Sequence, residues 1–373
     1  MAESFFSRIS IIGTGMIGAS FAKALRERYP YPLLITGYDT PAVVQEALSL
    51  GLIDVPASTL AEAVKETELV YLAVPIHSIL EVLSDIAPFL SPGTLVTDAG
   101  SVKLPVMQHA QTVLKPENLF IGGHPMAGSE HTGPKHADAF LFENATYVLC
   151  PPEKISAAAF EATFSNLISL ISATGARILV LDATRHDHIA ATVSHVPQLL
   201  AVTLMNLAAD QNLQDEAFLK LAAGGFRDMT RIASSAFPMW REILYTNATE
   251  IQSVLLEMQS RLATLTNALQ NRELSSVQQA FEQAREVRNT IPKNTKGFLH
   301  PLSDVYVFAQ DVPGFLYHLT KTIYDAGLNI KDMELLKIRE GTGGAFRLAF
   351  DNGNEADQAV SILTVAGYVA YRL

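Results

Sequence analysis

Four clusters in this 373-residue chain set polar side chains among small or apolar ones: DAGSVK (98–103), HPMAGSE (124–130), HDHIAATVSH (186–195) and GGFRDMTRIA (224–233). Histidine exchanges a proton near neutral pH more readily than any other side chain, so His124, His131, His136, His186, His188 and His195 are candidate acids or bases. Glycines and alanines crowd HPMAGSEHTGPKHADAF (124–140), leaving room for a ligand to approach the backbone. Arginine presents a planar fork that suits a carboxylate, which singles out Arg231 and, less directly, Arg227. Each residue also has a plainer role. Ser101 equally caps the helix that follows it, and Arg231 equally pairs with Glu130 or Asp228 at the surface. His131, His136, His186 and His188 read as structural or surface residues. No His, Cys or carboxylate set has convincing metal-ligand spacing.

A second pattern concerns a cofactor. ISIIGTGMIGASFAKAL places Gly13, Gly15 and Gly18 in a GxGxxG loop that follows a strand and opens a helix. Gly13 permits the tight turn, Gly15 lets a pyrophosphate reach the backbone, and Gly18 lets helix and strand pack closely. Asp39 in GYDT stands at the end of the second strand, where a carboxylate accepts both ribose hydroxyls and repels a 2′-phosphate. NAD is therefore expected over NADP. Thr14, Met16 and Ile17 within the loop, and Val74 and Pro75 at the end of ELVYLAVP, complete the expected cofactor contacts. In the plainer reading the glycines serve only the turn, and Asp39 caps the helix beginning at Pro41.

These residues need elements to hold them. RISIIG, LLITGYD, ELVYLAVP, GTLVTDAG, LFIGGHP, TYVLCP and RILVLD read as buried strands alternating with helical patterns, which predicts a mainly parallel sheet covered on both faces over residues 1–183. Ligands sit at the C-terminal ends of such strands. From Thr184 to Thr290 the pattern is helical throughout, with broad apolar stripes that call for a helical partner, and a homodimer is expected. IPKNTKGFLHP (291–301) reads as a linker. Residues 302–373 follow the order βαββαβ, a ferredoxin-like plan. The expected fold is thus an α/β Rossmann-type dinucleotide-binding domain, an all-α substrate and dimerisation domain, and a small βαββαβ unit.

Composition narrows the classes of function. The formal charge of −11 argues against general affinity for nucleic acid or anionic membrane. Cys150, the one cysteine, excludes an internal disulfide, suits a reducing compartment, and in ATYVLCP reads as a buried strand residue. MAESFFSRIS lacks the features of a signal peptide, and VPQLLAVTLMNLAA reads as too short to span a bilayer, so a cytosolic location is expected.

The glycine loop, DAGSVK, HPMAGSE, the HD preceding SH, and FRDMTRIA, in this order, resemble prephenate dehydrogenase, and the tail resembles an ACT domain. The resemblance implies NAD-dependent oxidative decarboxylation of prephenate to 4-hydroxyphenylpyruvate, a step toward tyrosine. His124 would be the catalytic histidine, accepting the substrate hydroxyl proton, and Ser101 would orient that hydroxyl and the nicotinamide. His195 and Arg231 would bind substrate, with Arg227 as a second anion contact. Glu130 would pair with an arginine at the cleft mouth, and Asp228 and Trp240 would reach a neighbouring subunit's site. In the tail, Asp311, Pro313 and Gly314, with Asn329 and Ile330 at the start of the next strand, resemble an effector-binding corner, and tyrosine is the expected effector.

Alternatives stay open at this stage. An arogenate dehydrogenase would share these residues, and SHVPQ places Gln198 where many relatives carry a second histidine. A β-hydroxyacid dehydrogenase would want a lysine on the long central helix, and none stands between Ala190 and Asp210. A non-catalytic, amino-acid-responsive NAD-binding protein would have little use for Ser101, His124, His195 and Arg231 together.

Overall fold

The computed structural model describes residues 5–128, 131–152, 157–290, 302–309, 312–339 and 343–372. Glu130, Asp311 and the segment 291–301 lie outside the described residues. The chain divides into two compact units, 1–277 and 278–373.

In the first unit the strands are β1 (Arg8–Ile12), β2 (Leu34–Tyr38), β3 (Val55–Pro56), β4 (Leu69–Leu72), β5 (Leu95–Asp98), β6 (Phe120–Pro125), β7 (Thr146–Cys150) and β8 (Arg177–Val180). They form one sheet in the order β3-β2-β1-β4-β5-β6-β7-β8. All neighbours are parallel except β6 and β7. Every apolar run read as a strand is one, and the two-residue β3 is an addition too short to carry a pattern of its own. Successive side chains point to opposite faces, and here both faces are covered. Ile11, Tyr71 and Leu149 enter one core cluster, while Ile12, Leu72 and Cys150 enter the other. That double burial explains why the strands read as continuous apolar runs rather than as alternations. Cys150 is buried as expected, and burial pushes its thiol up to about 12, which makes it inert near neutral pH.

Beyond β8 the chain is helical. Asp182 caps the next helix by accepting the Arg185 N–H at 2.8 Å. The run Ala183–Asn212 is then continuous over 30 residues, because a π-helical turn at Ala191–His195 carries it forward. The expected shortness is corrected accordingly: by length and composition this helix is long enough to cross a membrane. In this fold its first turns bury the polar His186 and Asp187, and Ala191 and Val196 pack against Ile251 and Val254 of the helix Ala248–Gln270. Leu213, Leu221, Phe237, Tyr245 and Leu256 are exposed on the helical part.

The second unit contains β9 (Ser303–Ala309), the helix Phe315–Asp325, β10 (Asp332–Arg339), β11 (Gly343–Phe350), the helix Gly353–Val365 and β12 (Ala370–Tyr371). Its sheet is antiparallel in the order β10-β11-β9-β12, so the expected βαββαβ order is present. Val305, Val307, Leu348 and Phe350 bury one sheet face against Leu319 and Leu363 of the two helices. On the other face Arg347 is bound by Asp304, Asp332 and Glu334. β10 begins at Asp332, so Asn329 and Ile330 precede the strand rather than start it. Asn329 is exposed, and Ile330 packs on the core.

Candidate functional site

The glycine loop leaves β1 at its C-terminal end. Gly13 has φ +95°, a left-handed conformation, and a Cβ there would lie 2.4 Å from the Ala73 carbonyl oxygen. A Cβ on Gly18 would lie 2.0 Å from the Gly13 carbonyl oxygen, whereas one on Gly15 would meet nothing within 4 Å. Two of the glycines are thus required by the fold, and the third leaves open space at the N-terminus of the helix Met16–Arg28, which has no acidic residue in its first turn. Asp39 accepts the Thr14 N–H at 2.8 Å and the Thr40 N–H at 2.7 Å. It does not cap the following helix, whose N-cap is Thr40. Asp39 and Val74 line a cavity of about 570 Å³ together with Ile12, Pro41, Val44 and Val82, and no Lys or Arg is among the lining residues. Pro75 is the N-cap of the helix Ile76–Ile86. An apolar slot with a carboxylate at its edge, beside an open helix N-terminus, fits a dinucleotide whose adenosine ribose has no 2′-phosphate.

Three strands away from β1, β6 delivers His124 to the same end of the sheet. His124 is buried, and its Nδ1 lies 2.7 Å from His186 Nε2. His186 Nδ1 in turn lies 2.7 Å from Asp187 Oδ1. Asp187 also accepts the backbone N–H groups of Lys103 at 2.7 Å and Leu104 at 2.8 Å, at the N-terminus of the helix Leu104–Val113. An ionised carboxylate bonded in this way is an acceptor only. His186 Nδ1 must therefore donate to it, which leaves His186 Nε2 to accept from His124 Nδ1–H. The lone pair of His124 sits on Nε2, the nitrogen free to meet a ligand. Burial, together with the positive potentials of His186, Lys103 and His195, holds His124 well below the usual histidine range, so this imidazole is neutral and ready to accept a proton.

Ser101 does not cap the helix that follows, because Asp187 does. His186 is buried, so it is not a surface residue, and its Nε2 meets His124 Nδ1. Its partnership was hidden in the sequence because Asp187 is recruited to a helix N-terminus more than eighty residues earlier. The adjacent HD pair was the one available signal.

His195, at the end of the π turn, is also buried. Asn247 donates from Nδ2 to the Asp187 carbonyl at 2.9 Å and sits 3.1 Å from His195 Nδ1. With Nδ1 accepting, His195 carries its hydrogen on Nε2 and offers a donor where His124 offers an acceptor. Burial is the main reason that its pKa falls to about 4. Trp240 packs edge-on to the His195 ring at 6.2 Å within the same chain.

Arg231 opens the 3₁₀ turn Arg231–Ser234 and is exposed. Gln198, one turn beyond His195, donates from Nε2 to the Ile232 carbonyl at 3.0 Å and ties that turn to the central helix. Arg227 and Asp228 are exposed on the helix Gly224–Thr230, and among the described residues none of these three makes an ion pair. His131 and His136 stack on each other at 4.8 Å, and His188 pairs with Glu250 at 2.8 Å. Among the described residues no His, Cys, Asp and Glu group could hold a metal. In the tail, Gly314 adopts a left-handed conformation (φ +84°) as the N-cap of the helix Phe315–Asp325, next to exposed Pro313.

Comparison with known proteins agrees with this arrangement. Residues 21–180 match the family described as prephenate dehydrogenase, nucleotide-binding domain, and residues 182–283 match prephenate dehydrogenase, dimerization domain. The chain is 32% identical to the prephenate dehydrogenase of Bacillus subtilis over 352 residues, 94% of each chain. It is 33% identical to that of Lactococcus lactis over 362 residues, covering 96% of this chain and 98% of the relative. The crystal structure of prephenate dehydrogenase from A. aeolicus in complex with hydroxyphenyl propionate and NAD+ superposes with a TM-score of 0.70 at 26% identity, covering 78% of this chain and all of that one.

Proposed function

The chain belongs to the prephenate dehydrogenase family, and we propose that it oxidatively decarboxylates prephenate to 4-hydroxyphenylpyruvate with NAD. The observation that carries this reading is the Asp187–His186–His124 chain, which presents an unprotonated nitrogen at the strand ends that also carry the glycine loop. NAD, held by Gly13, Gly15, Gly18 and Asp39 and flanked by Val74 and Pro75, supplies a hydride acceptor when bound. His124 Nε2 takes the proton of the ring hydroxyl while the carbinol hydrogen departs with its electron pair. The bond to the ring carboxylate then breaks, its electrons complete the aromatic ring, CO₂ leaves, and the protonated His124 returns its proton to the phenolate oxygen. Positioned bases contribute about 10²- to 10⁴-fold, and aromatisation supplies the driving force. The positive charge that arises on His124 is stabilised by the Asp187 carboxylate through the intervening His186, and the carboxylate itself stays ionised, as in other base–orienter pairs.

The remaining residues bind and orient. Ser101, at the carboxyl end of β5, orients the hydroxyl; His195 donates from Nε2 to a substrate oxygen; Arg231 holds a carboxylate, with Arg227 as a secondary contact. Glu130 and Asp228 modulate access to the cleft. The exposed apolar residues of the helical part support a homodimer, and the family supports a cytosolic setting. The tail acts as an ACT-like sensor, with tyrosine received at the helix start after Gly314 and near Asn329. Inhibition then requires that tyrosine bind one conformational state better than another.

The test is reduction of NAD with prephenate and arogenate supplied separately, each with and without tyrosine. Turnover of prephenate, suppressed by tyrosine, is expected. Turnover of arogenate alone would reassign the substrate, and no turnover of either would end the catalytic reading. Calorimetry of the whole chain with tyrosine, phenylalanine and tryptophan tests the sensor, and no heat from any of them leaves the tail a scaffold.

A further inference from the structure

β6 loses its neighbour just before it delivers the base. Its parallel register with β5 covers only Val96↔Phe120 and Thr97↔Ile121, and from Gly122 onward β6 is held on its other side by antiparallel β7. The backbone of Gly123 therefore faces β5 with no ladder partner. Both of its polar groups are nevertheless satisfied by side chains: Gly123 N–H donates to Asp98 Oδ1 at 3.0 Å, and Lys103 Nζ donates to the Gly123 carbonyl at 2.6 Å. Lys103 also donates to Asp98 Oδ2, which accepts Gly100 N–H at 2.9 Å. Both side chains of this ion pair are 0% exposed, so neither can touch a substrate.

We propose that Asp98 and Lys103 are positioning residues, whose buried ion pair takes the place of the missing β5–β6 ladder, grips both backbone groups of Gly123, and so sets where His124 meets the substrate. The inference rests on the reading of His124 as the base. A buried ion pair is a poor device for stability alone, because an apolar pair of the same volume often does as well. It is a good device for fixing a backbone whose N–H and C=O must both be met at one depth. The glycines allow the close approach: a Cβ on Gly122 would lie 3.0 Å from Lys103 Cδ, and one on Gly123 would lie 2.3 Å from the Asp98 carbonyl oxygen. The groups facing His124 are His186 from the helix Ala183–Ala190, His195 from the π turn, and Lys103 from the loop before Leu104. Lys103 is the permanent cation among them, so it also opposes protonation of His124.

The test compares Lys103→Met, and Asp98→Asn with Lys103→Met together, against the native chain. The double variant removes the pair without stranding a buried charge. A displacement of about 1 Å costs on the order of 10²-fold, so kcat should fall by about that factor while the dissociation constant of NAD stays within about twofold. In Lys103→Met, loss of the cation should also move the acid limb of kcat/KM to higher pH, a change that a merely structural role would not produce, whereas the double variant, which loses both charges, should stay nearer the native profile. Folded variants with native kcat and an unmoved acid limb would overturn the proposal. Should neither variant fold, hydrogen exchange of the native chain decides: the Gly123 amide should exchange as slowly as the ladder amides of β6, and exchange as fast as in an open loop overturns the clamp. Failure of the native chain to oxidise prephenate or arogenate would instead remove the catalytic reading and leave the exchange result standing.

Discussion

Replacing Asp187 by asparagine tests the relay most directly, because the change is isosteric and the consequences can be counted. Asp187 receives three N–H groups, from Lys103, Leu104 and His186. An amide has only one acceptor atom, so in either orientation its Nδ2–H₂ is set against an N–H donor. With Nδ2 at the Oδ2 position it opposes Leu104 N–H. With Nδ2 at the Oδ1 position it opposes Lys103 N–H and forces His186 to accept at Nδ1, which reverses the relay and puts the hydrogen of His124 on Nε2. A lost hydrogen bond to a charged group is worth about 1.5–3 kcal/mol. At roughly 2–4 °C per kcal/mol in domains of 150–250 residues, the melting temperature should drop by several degrees. Turnover should suffer far more than stability. The negative charge that stabilises a protonated His124 is gone in both orientations and the tautomer is wrong in one of them, so kcat should fall by about 10²- to 10⁴-fold. Steady-state reduction of NAD, with fluorescence titration of the cofactor as the control for folding, reads both effects. A well-folded Asp187→Asn protein with kcat within about threefold of native would refute the relay.

Gly15→Ala should fold normally yet bind NAD at least tenfold more weakly, since its Cβ enters open space at the helix N-terminus, while Gly18→Ala should lower the melting temperature; cofactor titration and thermal melts separate the two. Asp39→Ser should weaken NAD and improve NADP, measured as the ratio of kcat/KM for the two cofactors, and an unchanged ratio would count against its ribose role. His124 and His195 are buried neutral, with folded pKa values below the 6.5 of the unfolded chain. The unfolded state therefore binds more protons below pH 6.5, and stability should fall as pH drops from 6.5 toward 4, by up to about 1.4 kcal/mol per pH unit for each group. Melting curves across that window check the sign, and replacing His195 by glutamine should flatten the slope.

The sheet was legible because double burial writes itself as contiguous apolar runs, and the second unit because its strands and helices alternate cleanly. The glycine loop was legible because its spacing has one steric solution, which Gly13 and Gly18 satisfy as expected. What escaped the sequence were partnerships made across long separations. Lys103 sits in a loop and has the composition of a surface residue, yet it is fully buried against Asp98. His186 had the same residue type as three other solvent-facing or structural candidates, and only the placement of Asp187 at a distant helix N-terminus sets it apart. The π turn has no compositional signature in ATVSH, because its extra residue is accommodated by packing rather than by propensity.

That turn has a consequence for the phase of everything after it. A regular helix advances by about 100° per residue, so the nine positions from His186 to His195 would amount to about two and a half revolutions and set the two rings back to back. A bulge that absorbs one position brings the angle down to about 80°, and the imidazoles come round to the same side. The same residues wound as an unbroken regular rod would turn the second imidazole away from the first, whereas a chain shortened by a single residue between Ala191 and Ser194 would keep both on one side along a straighter helix.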